Sequence, residues 1–168
     1  GLNGNGHLKL QDSTATVGEL AIATGEWEGR KFGTLEMMRG TATASQIGLG
    51  RSGGEGTLLM KESTLTISGN GLFGGPGTSN VAIEDASKLS LGGTLSIGVL
   101  GSGTNSLLVG PNSELSAATA LILGTTGATT TTLNAGSLKT TGQLRNGVKG
   151  IIKGSGSLEF GTLLNEGL

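Results

Sequence analysis

The chain is 168 residues long, with 34 glycines, 2 prolines, no cysteine and only 2% aromatic residues. Glycine at about three times its usual share, without a three-residue period, excludes collagen; the frequent Leu, Ile and Val exclude a flexible linker, and so few rings argue against a round globular core. A net charge of −1 with scattered Lys and Arg lacks the footprint of a nucleic-acid binder, no apolar run is long enough to insert in a membrane, and without cysteine there is neither a disulfide framework nor a thiolate metal site.

In chain order, the first predicted strands carry the apolar i, i+2 doublets Leu8/Leu10, Ala15/Val17 and Leu20/Ile22. The same trio returns as Leu35/Met37, Ala42/Ala44 and Ile47/Leu49, and then as Leu58/Met60, Leu65/Ile67 and Leu72/Gly74. Val81/Ile83, Leu89/Leu91 and Leu95/Ile97 come next, and after them Leu107/Val109, Leu115/Ala117 and Leu121/Leu123. The last two trios are Leu133/Ala135, Leu138/Thr140 and Leu144/Asn146, then Ile151/Lys153, Leu158/Phe160 and Leu163/Asn165. Alternation flanked by Ser, Thr, Lys and Glu is the period of a short strand with one buried face, and helical stripes are absent.

A unit of roughly 23 residues with three short strands cannot close a core alone. Stacked on its neighbours it can, because each strand pairs in parallel with its equivalent one coil up. The expected fold is therefore all-β: a right-handed parallel β-helix, or β-solenoid, of about seven coils with three strands each, a single domain over residues 1–168. Seven strands about 4.8 Å apart make a rod about 33 Å long. Sharp corners between strands are expected at glycine, which has no Cβ to clash, or at small polar residues.

The segments GTLLMKESTLTISGNGLFGGPGTSN and GTLSIGVLGSGTNSLLVGPNSELS resemble the autotransporter-associated β-strand repeats of large bacterial surface proteins, over about residues 1–145. The resemblance implies an extracellular or surface-exposed β-helical segment of passenger or adhesin type and brings no catalytic residues. The last two coils depart from the pattern. They are short, with polar Asn146, Lys153 and Asn165 where apolar residues are expected, so a looser end is predicted there.

The chain opens on Gly1-Leu2 and stops on Gly167-Leu168 in the same phase of the repeat, without a stretch that reads as a cap, and no leader is legible in GLNGNGHLKL. This phase raises two expectations: a rod that polymerises head to tail, itself being the partner, or a window from a longer solenoid. The end surfaces assigned to self-assembly are Leu8 and Leu10 on one side and Leu158, Phe160 and Leu163 on the other.

Candidate chemistry is thin. His7 stands alone and reads as a surface residue. Glu84-Asp85 is the one adjacent acidic pair, without the further oxygens a calcium site needs. Asp occurs only at Asp12 and Asp85, too few for the clustered carboxylates of a polysaccharide-cleaving β-helix. GRSGGEGTL has neither the Lys-Ser/Thr nor the helix of a phosphate loop. No catalytic, cofactor-binding or metal-binding residue is assigned, and no enzyme activity is expected. Trp27 and Phe32, in the insertion GEWEGRKFG, are the candidate adhesive patch for a glycan or cell surface. Thr14/Thr16, Thr41/Thr43 and Thr64/Thr66 form a Thr ladder similar to those of ice-binding solenoids, but it lapses at Lys88/Ser90. The expectation is a non-enzymatic building block of an extracellular fibre or stalk on a bacterial surface or in a matrix, with an adhesin segment as the alternative and ice binding a remote one.

Overall fold

The computed structural model describes residues 5–23 and 31–167. Its strands, in chain order, are β1 (Gly6–Gln11), β2 (Thr14–Ile22), β3 (Phe32–Met38), β4 (Thr41–Leu49), β5 (Glu55–Lys61), β6 (Thr64–Ile67), β7 (Gly71–Phe73) and β8 (Thr78–Glu84). They continue as β9 (Lys88–Leu91), β10 (Thr94–Ile97), β11 (Thr104–Val109), β12 (Glu114–Ala117), β13 (Ala120–Leu123), β14 (Ala128–Asn146) and β15 (Gly150–Asn165). All belong to one 15-stranded sheet, and every pairing is parallel between elements of neighbouring coils. The protein is a parallel β-solenoid.

The sheet has three faces. On the first, Leu8, Leu35, Leu58, Val81, Leu107, Thr131 and Ile152 lie one above the other through six stacking steps. On the second, the column runs Ala15, Ala42, Leu65, Leu89, Leu115, Leu138, Leu158. On the third it runs Leu20, Ile47, Gly71, Leu95, Leu121, Leu144, Leu163. Strands β2 and β4 continue through one corner, and β14 and β15 through two, so one element covers several faces. The core is these aliphatic columns; Leu35, Leu58, Leu65, Leu89, Leu95, Leu107, Leu115 and Leu121 are all buried.

Three expected doublets shift. On the third face, Gly71/Phe73 fill the interior in place of Leu72/Gly74, because Gly74 is already the corner, at φ +61, and Leu72 points outward between Gly48 and Ser96. On the first face, Thr131/Leu133 replace Leu133/Ala135, since Ala135 has entered the next corner at φ +55. In the last coil Ile152/Gly154 replace Ile151/Lys153; Lys153 stands over Thr132 on the outer face. The looser end is visible only as two register shifts between β14 and β15, at Asn134/Gly136 and Thr140/Gln143.

The corners divide by chemistry. After the third face the chain turns through Ala23, Gly50, Gly74, Gly98 and Gly124, all with positive φ. Their N–H groups climb the stack, Gly50 to Ile22 O at 3.0 Å, Gly74 to Leu49 O at 2.8 Å and Gly98 to Phe73 O at 3.0 Å. After the first face the left-handed residues are instead Asp12, Arg39, Glu62, Asp85, Asn112 and Ala135, so this corner admits long charged side chains beside the small polar ones expected. The chain there projects its side chains to solvent, where Arg39 grips Asp12 at 2.7 and 3.0 Å. Inside that corner stands a serine ladder. The N–H of Gly40 donates to Ser63 Oγ, that of Ser63 to Ser87 Oγ and that of Ser87 to Ser113 Oγ, at 3.1–3.3 Å. Each hydroxyl satisfies a buried backbone donor one coil away.

Candidate functional site: the end faces of the solenoid

The features that set the last coil apart are apolar and directional. Within the rod the interior columns are covered above and below, but in β15 Leu158, Phe160 and Leu163 are 41%, 39% and 53% exposed while standing in those same columns. Among the described residues only β14 pairs with β15, so the outer edge of β15 presents free backbone groups beside these side chains. A hollow of about 260 Å³ opens there, lined by Leu144, Ile152, Leu158, Phe160 and Leu163 with Asn165 at its rim. Asn146 and Asn165 occupy the column that Ile97 and Leu123 fill lower down; the Asn146 amide donates to Asn165 Oδ1 at 2.9 Å.

The opposite end is the first coil. Leu8 and Val17 are 41% and 43% exposed, Leu10, Ala15 and Leu20 are half-buried, and Ile22 is buried. The residues Leu8, Leu10, Leu158, Phe160 and Leu163 thus lie on two opposite end faces of the rod, with Val17 and Leu20, which the doublet pattern contained without singling out, and Ile152, which it missed, as neighbours.

The remaining candidates are dispersed. Phe32 opens β3, is exposed, and donates its N–H to Asn5 Oδ1 at 3.0 Å; Trp27 lies outside the described residues. His7 Nε2 and Lys9 Nζ share the Glu36 carboxylate at 3.2 and 3.6 Å. Glu84-Asp85 lies on a corner where Asp85 meets Lys61 at 3.8 Å. The Thr ladder stands outward on the second face, with Thr43 Oγ1 donating to Thr16 Oγ1 at 3.2 Å. Beyond it the column becomes ionic: Glu114 accepts from Lys88 at 3.1 Å and Lys139 at 3.0 Å, and Lys139 reaches Glu159 at 3.4 Å. Partial burial, which alone would raise the Glu114 pKa, is outweighed by the hydrogen bonds from Lys139 and Lys88, so the carboxyl sits below its ordinary value.

Among the described residues no group of three or more His, Asp or Glu could hold a metal ion, and no helix is long and apolar enough to cross a membrane. Comparison with family models, with curated proteins and with solved structures finds no match.

Proposed function

We propose that this chain is a structural element of an extracellular fibre or stalk, a rigid rod that lengthens by adding further coils at its open end. The observation that carries the reading is the exposure of Leu158, Phe160 and Leu163 in columns that are buried in the coils between the two ends. A parallel edge with an apolar column beneath it is a template for another parallel strand. The contact is heterologous and does not close, so repetition gives a filament rather than a ring. The bacterial surface or matrix is the setting that the repeat resemblance suggests.

Electron microscopy of the purified chain tests this. Long unbranched fibres are expected in the native chain, and isolated short rods overturn the reading. Leu163→Glu, or a charge at Leu10, is expected to abolish fibres while leaving the far-UV circular dichroism of the rod unchanged. A second reading, adhesion through the first coils, draws on the exposed ring of Phe32; loss of glycan or cell binding on Phe32→Ala, with fibres retained, would favour it.

A further inference from the structure

We propose that the occupant of the open end is a second copy of this chain, seated by its first coil in one fixed register: Ile152 on Leu8, Leu158 on Ala15, Phe160 on Val17 and Leu163 on Leu20. This rests on the coil-adding reading above and specifies its partner.

The register comes from the columns. Each internal pairing identifies equivalent residues from coil to coil, so that Ile152 is the equivalent of Leu8, Leu158 of Ala15, Phe160 of Val17 and Leu163 of Leu20. Stacking one copy on another in this phase repeats a step that the rod already makes internally, with the same strand direction. Both surfaces offer apolar groups at the same places: Val17 and Phe160 are both exposed, and exposed Leu8 and Leu158 face half-buried Ile152 and Ala15. Bulk is matched as well. Phe160, the largest side chain of the open end, would meet the part of the second face that is built from small residues, Ala15, Ala42, Ala44 and Val17.

Alternatives are disfavoured by geometry. A slip of one residue turns every apolar side chain of the joining strands outward. A slip of two lays Phe160 against Glu19 and moves the corners out of phase.

Charge also fits, with one exception. Glu159 falls on Thr16 and Thr162 on Glu19, and both carboxylates keep their own cations, Lys139 at 3.4 Å and Arg51 at 3.5 Å. The exception is Lys153, which lands over Lys9, whose partner Glu36 is already shared with His7. Like charges directly opposite on neighbouring strands repel. That pair is a brake on association, and removing it should strengthen the junction.

The absence of cysteine allows a direct test by disulfide trapping. Thr16 and Glu159 would be direct neighbours across the junction, about 4.8 Å apart, within the span a disulfide bridges. In one copy they lie at opposite ends of the rod, so any bridge between them is intermolecular. Oxidation of T16C/E159C is expected to give a ladder of covalent oligomers, and T16C/S157C, two residues out of register, to give none. Lys153→Glu is expected to shift assembly to several-fold lower protein concentration. Fibres that cross-link in the wrong pair, or in neither, overturn the register while leaving coil addition standing. Single rods by microscopy, with no cross-link in either variant, overturn both. Unchanged assembly of K153E overturns the brake.

Discussion

Gly53 and Gly74 both have positive φ, +87 and +61, yet Gly→Ala at the two sites should differ severalfold in cost. At Gly53 a Cβ would meet nothing within 4 Å. At Gly74 it would fall inside the side-chain amide of Asn105, which is buried at 1% exposure and bonded on all sides. Asn105 Oδ1 accepts from the Ser79 N–H at 3.1 Å and from its hydroxyl at 2.9 Å, while Nδ2 donates to Ala128 O at 3.2 Å and Gly103 O at 3.3 Å. The left-handed conformation costs alanine about 1–2 kcal/mol at either site. Displacing Asn105 adds about 1–3 kcal/mol for each buried group left without a partner. Gly74→Ala should therefore cost about 2–6 kcal/mol more than Gly53→Ala, the range for two such groups. With a urea slope of about 2 kcal/mol/M, its midpoint should fall about 1–3 M further.

The same geometry predicts the remedy. Asn105 stands in a column with Gly33, Gly56 and Ser79, so Asn105→Gly empties the space that the new methyl needs. In that background Gly74→Ala should cost no more than Gly53→Ala, a coupling that a double-mutant cycle in urea reads directly. Equal costs for the two glycines in the native background, or no coupling to Asn105, would refute the claim that close stacking, rather than φ alone, selects glycine at this corner.

Three further outcomes are expected from the interior and one charged column. Thr131→Val should stabilise the rod by about 1–2 kcal/mol, because Thr131 Oγ1 is buried without a hydrogen-bond partner in the Leu107 column and the methyl keeps the volume; a lower urea midpoint would count against it. Ser87→Ala should cost about 1–3 kcal/mol by stranding the Ser63 N–H, and protection of that amide from hydrogen exchange should fall. Glu114 is held below its ordinary pKa in the folded state, so its contribution is present at neutral pH and is lost as pH falls through the folded value. The stability difference between the native chain and Glu114→Gln should accordingly shrink in acid; a difference that grows would reverse the sign assigned here.

Much of this fold was legible in the doublets, and two of the three that shifted share one cause. The second-face column, from Ala15 to Leu158, keeps to the apolar pattern without a slip. Leu72/Gly74 and Leu133/Ala135 misled because in both the second member of the doublet is a left-handed corner, and a corner cannot also be a core position. Local hydrophobicity favours Leu72 over Gly71; only the pairing of Ile47 and Leu95 with Gly71 places Phe73 inside. The corner after the first face was hidden for another reason. Asp12, Arg39, Glu62 and Asn112 do not read as a common signal. Their shared feature is a small neighbour on the C-terminal side, Ser13, Gly40, Ser63 and Ser113, three of which take part in the serine ladder.

That corner bears on how far the end faces could be read from sequence. Every column depends on the residue above and below it, so the meaning of a position is set by its neighbours in adjacent coils rather than in the chain. Ala15 and Ala44 look like weak core residues when counted alone; in the register proposed above they would flank and underlie Val17, leaving room for the Phe160 ring. Asn165 looks like a flaw until it is seen capping the Asn146 amide, which leaves Leu158, Phe160 and Leu163 to supply the apolar contact. The open end is thus part column and part polar rim. For that reason a single charge at Leu163 should stop growth, whereas Asn165→Ala should disturb the rod more than its assembly.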